Sequence, residues 1–243
     1  IGDGNFDIEV GVDPDYEALE MKVGSYINAE GRVVRDAADA VGIVFKMEAI
    51  GSDVPANYPV ALQGKTIVGY AVAIENVATG RQTLNTELLT TLAETAAGMT
   101  NGTQTTDVLL TGLGDVAFKT TYEKWVGEHA LASENLSAWY IPTLSQLSAF
   151  MGTLFTMKEV PATGSEDFKN IPEFEFVNGK MFDRTPINTV NYASSTINNQ
   201  NNVSGVRINV TDGAVTNAQE AGISVKAALN QQALCRPMIT IFK

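Results

Sequence analysis

The order of sequence patterns predicts an α+β fold: strands first, helices in the middle, strands again at the end. Three observations carry this. Val41-Gly42-Ile43-Val44-Phe45 is a continuous apolar run, the mark of a strand covered on both faces. Leu144, Leu147, Phe150, Met151 and Leu154 recur at helical spacing and form one apolar stripe. Arg207 to Thr216 carries Asp212-Gly213 between two alternating runs, the strongest short hairpin signal in the chain.

In order along the chain, Phe6 to Val10 alternates with period two and reads as a strand. Glu17 to Val23 is a weaker strand pattern. Tyr26 to Val34 reads as a hairpin turning at Gly31. After the apolar run, Tyr58 to Leu62 and Thr66 to Ile74 read as strands separated by a turn at Gln63-Gly64-Lys65. Asn85 can cap a helix through Leu88, Leu89, Leu92 and Ala96 that stops at Gly98. A second helix is expected from Asp115 to about His129. A third begins at Thr143: Pro142 fixes the backbone before it, Thr143 caps it, and Gln146 completes a capping box. Met238 to Phe242 is a closing strand.

Composition bounds the function. The 243 residues are 44% hydrophobic, enough for a proper core. The formal net charge is −12, and the 16 basic residues are scattered, so a nucleic-acid backbone is not expected as the partner. Asp3, Asp7, Glu9, Asp13, Asp15, Glu17 and Glu20 crowd the start with no Lys or Arg among them, which reads as a solvated, self-repelling arm. Calcium is the sharper reading of that cluster, but Asp3, Asp13 and Asp15 do not match an EF-hand loop. No stretch of about 18 apolar residues exists to span a membrane. The chain starts at Ile1 rather than Met, as a trimmed or processed protein would, with any signal peptide already removed.

Catalytic chemistry finds few hands. Cys235 stands alone, so no internal disulfide forms, and its apolar neighbours suit a small buried hydrophobe. His129 is the single histidine, placed to cap a helix C-terminus, and no G-x-S-x-G elbow accompanies it. One His and one Cys cannot furnish a zinc site. Gly112-Leu113-Gly114 lacks the third glycine of a dinucleotide loop. Carboxylates for glycoside hydrolysis are plentiful, but no spacing singles out a pair. No cofactor is expected.

Three pieces resemble one known family. Ala138-Trp139-Tyr140-Ile141-Pro142-Thr143-Leu144-Ser145-Gln146-Leu147, Tyr192-Ala193-Ser194-Ser195-Thr196 and Cys235-Arg236-Pro237-Met238-Ile239-Thr240-Ile241 follow a W-x-[IL]-P-[ST]-x-x-[EQ]-L … Y-x-S-S-T … R-P pattern. It is similar to that of the Legionella collagen-like C-terminal domains, distant relatives of formylglycine-generating enzyme. Gly24-Ser25-Tyr26-Ile27 with Gly31, Ala40 to Phe45, and Val60-Ala61-Leu62 resemble the family's opening turn and next two strands. The resemblance covers residues 24–243 and leaves 1–23 as an arm or strand extension. It implies a C-type-lectin-like fold, of mixed small sheets with two or three helices. Ala193 departs from the family, which has Trp there. The cysteine chemistry of formylglycine-generating enzyme does not carry over to a chain with one Cys. Trp139, Pro142 and Leu147 read as scaffold.

The remaining candidate is polar. Asn188, Asn191, Tyr192, Ser194, Asn198, Asn199, Asn201 and Asn202 supply adaptable hydrogen bonds and rigid contact area, a paratope chemistry. A plain exposed loop of Asn-rich turns is the plainer reading. The resemblance implies that the binding face is built in this late region. It also implies a likeness to the variable proteins of diversity-generating retroelements. The expectation is a non-enzymatic module, secreted, on a cell surface or on a phage particle, that binds a protein or carbohydrate through the 188–202 face. A homo-oligomer is compatible with it. The alternatives are a structural subunit of a surface or pilus-like assembly and a carboxylate-based hydrolase.

Overall fold

The computed structural model describes residues 19–78, 82–83, 99–113, 117–157, 189–197, 202–211, 214–224 and 232–243. Strands β1 (Tyr26–Ile27), β2 (Val33–Val34), β3 (Gly42–Lys46), β4 (Ile67–Ala73) and β10 (Met238–Phe242) form a five-stranded antiparallel sheet in the order β10-β4-β3-β1-β2. The chain's late strand thus lies beside its early ones. The β1–β2 turn uses Gly31 at φ 76°, a left-handed conformation that favours glycine.

Strand alternation sends successive side chains to opposite faces, and both faces of this sheet are covered. Ile43, Phe45, Tyr70, Val72, Met238 and Phe242 belong to one buried cluster. Val44, Ala71, Ala73, Ile239 and Ile241 belong to another. The apolar run at 41–45 is therefore split between two cores, Val44 going one way and Ile43 and Phe45 the other.

The helices supply the layers. A short α1 (Val60–Gln63) is followed by α2 (Gly102–Leu113), α3 (Ala117–Glu128) and α4 (Leu144–Met157). Leu147 and Phe150 of α4 pack in the first cluster, Phe150 edge-on to Phe45 at 5.3 Å between ring centroids. Leu109 of α2 and Phe118, Tyr122 and Trp125 of α3 pack in the second. Strands β6 (Thr189–Ile197), β7 (Asn202–Thr211) and β8 (Ala214–Ser224) form a separate antiparallel sheet, and β5 (Gln82–Thr83) pairs with β9 (Gln232–Ala233). The pairing of Thr211 with Ala214 leaves the two residues Asp212-Gly213 as the β7–β8 connection.

The architecture is α+β. Two expectations need correction. Tyr58 to Leu62 is not a strand: Pro55 opens a short 3-10 turn at Pro55–Asn57, and Pro59 precedes α1. Proline lacks the N–H that a ladder needs and suits a helix start. The stretch 19–23 forms no strand, and the unexpected α2 follows at Gly102. The expected strand at 6–10 and helix at 85–98 lie outside the described residues.

Candidate functional site

The three motif pieces meet in the interior. Tyr140 pairs with Met238 through backbone hydrogen bonds of 3.0 and 2.9 Å. Its phenol shares a 2.9 Å hydrogen bond with the Thr240 hydroxyl. Ile141 and Pro142 receive the Ser195 side chain and backbone: Ser195 Oγ donates to Ile141 O at 2.7 Å, and Ser195 N to Pro142 O at 2.8 Å. Leu144 N donates to Thr196 Oγ1 at 2.8 Å, so strand β6 satisfies an open N–H in the first turn of α4. Thr143 and Gln146 close the capping box reciprocally, Thr143 N donating to Gln146 Oε1 at 3.0 Å and Gln146 N to Thr143 Oγ1 at 3.3 Å. Gln146 also accepts from Gly102 N at 3.1 Å, tying α4 to the start of α2.

Trp139 is 5% exposed, stands edge-on to Trp125, and donates its indole N–H to His129 O at 2.7 Å. Arg236 is fully inside, with one guanidinium nitrogen donating to Ala73 O at 3.0 Å. Burial pulls its pKa down, while Tyr192, Glu75 and Cys235 oppose that shift.

This geometry corrects part of the expected face. Tyr192 is 1% exposed and packs in the core; Ser194 is buried and donates to Ser204 O at 2.6 Å. They lie in β6, not on an open loop, so they face the interior. Asn, Ser and Thr suggested a loop by composition, but in this strand the hydroxyls of Ser194, Ser195 and Thr196 find partners across the fold. Ala193 is buried too and donates its N–H to Leu234 O at 2.9 Å. Asn191 lies in β6 and Asn202 begins β7. Asn188, Asn198, Asn199 and Asn201 lie outside the described residues; 198–201 is the connection between β6 and β7.

Sequence reasoning missed a buried polar hub. Asp53 is 3% exposed, and its carboxylate accepts from Tyr58 Oη at 2.6 Å, Tyr70 Oη at 2.7 Å, and Asn101 Nδ2 at 2.8 Å. Tyr58 passes the network to Thr240 at 2.7 Å, and so to Tyr140 and Gln146. Asn101 meanwhile caps α2, accepting from Thr103 N at 2.7 Å. Burial is the main force raising the phenol pKa of Tyr58, Tyr70 and Tyr140. The one signal was Thr240, a polar residue within the apolar strand Met238–Phe242.

Among the described residues, three groups with chemical potential, Asp53, His129 and Cys235, are engaged in structure. The carboxylate of Asp53 is ringed by donors. His129 Nδ1 lies 2.8 Å from Trp125 O and its Nε2 3.0 Å from Glu75 Oε1, and the ring stacks on Trp125 at 4.1 Å. Cys235 is buried, and its thiol is pushed up to about 12 by burial, far from a reactive thiolate. Among the described residues, no three His, Cys, Asp or Glu side chains cluster to hold a metal ion. No helix among them is long and apolar enough to cross a membrane. No family model matches the chain, nor does any curated protein or solved structure.

Proposed function

We propose that this chain is a non-catalytic binding module that holds a protein or carbohydrate ligand at the Asn-rich connection 198–201 and the Asn202 that follows it. Its setting is a secreted, cell-surface or phage-displayed C-type-lectin-like domain. One observation carries the reading. The Y-x-S-S-T segment is clamped to the W-x-I-P-T segment by three hydrogen bonds, from Ser195 N, from Ser195 Oγ and onto Thr196 Oγ1. The chain therefore enters the Asn-rich connection from a fixed point. Binding loops need such anchoring, because a loop held by a rigid scaffold loses less entropy when it engages a ligand. Asn side chains add donors and acceptors without an acid, base or nucleophile.

The test is a glycan and protein array probed with the wild-type chain and with an Asn198→Ala/Asn199→Ala/Asn201→Ala variant. The variant keeps the wild-type melting temperature within the small range usual for surface changes, about 0.5 kcal/mol of stability per site, and loses array binding. Retained binding on the same array spots would overturn the proposal.

A further inference from the structure

A recess of about 570 Å³ opens where the start of β4 meets the end of β10. Its apolar lining is Met21, Met47, Val68, Leu136, Ile241 and Phe242. Leu136, Ile241 and Phe242 are buried and form a fixed floor, whereas Met47 is 39% exposed. Met21 and Met47 are unbranched and polarizable, so they can re-pack around an apolar guest. The volume falls in the range of small-molecule sites, roughly 300–1,000 Å³. None of the lining residues comes from β6, β7 or β8.

The charged lining is Arg32, Lys243 and Glu30, all exposed. Nearby Lys46 is spent on Glu48 at 2.6 Å, and Lys65 donates to Glu134 O and Asn135 Oδ1. Among the described residues neither Arg32 nor Lys243 takes part in an ion pair. Arg32 and Lys243 at the rim of an apolar recess stand out in a chain of net charge −12. Elsewhere on such a surface an anion is repelled.

We infer that this recess is a second binding site, separate from the 198–202 segment, for an amphipathic anion: an apolar body in the Met21–Met47 recess with a carboxylate or similar head at Arg32 and Lys243. Burying the body supplies the affinity, and the cations set the preference for a charged head.

The test is a titration of the full chain, labelled at its methionine methyl groups, with decanoate and separately with decan-1-ol, read by NMR. The chain has seven methionines, so the site reports on itself. Decanoate shifts the Met21 and Met47 signals saturably and leaves the others nearly still. Met47→Asp weakens decanoate by about tenfold or more, since it sets a charge against the apolar body. Arg32→Glu, at an exposed turn, weakens it by about threefold to tenfold, and decan-1-ol binds more weakly by a similar factor. Val54→Asp, exposed but outside the recess, leaves binding unchanged. Shifts spread over all methionines, or none that saturate, would overturn the site. Equal affinity for decan-1-ol, or no effect of Arg32→Glu, would overturn the anionic head.

Discussion

At the scale of single residues, the family-like motifs are explained by what their side chains touch. Trp139 joins the Trp125 ring and the His129 carbonyl, so Trp139→Ala removes a buried ring and a hydrogen bond together. We expect a loss of about 3–5 kcal/mol, read as a large drop in melting temperature; an unchanged melt would mean that the ring is not buried. Cys235 gives a second residue-scale prediction. With its thiol pushed up to about 12 by burial, almost no thiolate exists at neutral pH. Iodoacetamide at about pH 8 leaves the native thiol unmodified and alkylates it only in denaturant, as mass spectrometry would record. Gly102 is subtler. Helix propensity alone says that Gly102→Ala stabilises α2 by up to about 1 kcal/mol. A Cβ there would overlap the Tyr140 ring, which is fully buried and held by Thr240 and Gln146. Overpacking against a fixed ring costs about 1–3 kcal/mol, so packing wins and urea unfolding should show a net loss.

At the scale of elements, what could be read from sequence was local. The capping box at Thr143 and Gln146 is visible because its partners are three residues apart. The strand at 41–45 is visible because burial on both faces forces an unbroken apolar run. The hairpin around 212–213 follows from Asp-Gly. What was not legible depends on distant partners. Strand β6 looks like a loop because Ser194, Ser195 and Thr196 are polar, and the partners of the last two, Ile141 and Leu144, lie more than fifty residues away. Tyr192 was placed on a binding face by its residue type, yet it packs in the core. Asp53 gave no local signal, since its donors come from residues 58, 70 and 101. Its network nevertheless joins the loop before α1, the N-terminus of α2 and the closing strand β10. Pro55 and Pro59 set the local turn, and the stretch read as a strand at 58–62 runs into the short helix Val60–Gln63.

At the scale of the molecule, the two cores share one sheet, and the polar hub runs through the first of them. That predicts alkaline sensitivity. Tyr58, Tyr70, Tyr122 and Tyr140 all have folded pKa values raised above the ordinary one, chiefly by burial. In the unfolded chain these phenols lose protons near pH 10. Their contribution is therefore whole below about pH 10 and falls as pH rises further, because the unfolded state then binds fewer protons than the folded one. Melting temperatures taken from pH 7 upward should hold level and then drop steeply beyond about pH 10; a flat profile through pH 11 would contradict the burial of these hydroxyls.

On the proposed reading the labour is divided: the three motifs hold the fold, and the Asn-rich connection carries recognition. Hydrogen exchange with and without a ligand found on the array tests it most directly, because it reads both parts at once. Slow exchange is expected at Ile141, Leu147, Ala193 and Ser195 in the free protein, with no further change there on binding, and new protection confined to peptides spanning 198–202. Protection that appears at 139–147 while 198–202 stays unaltered would contradict it.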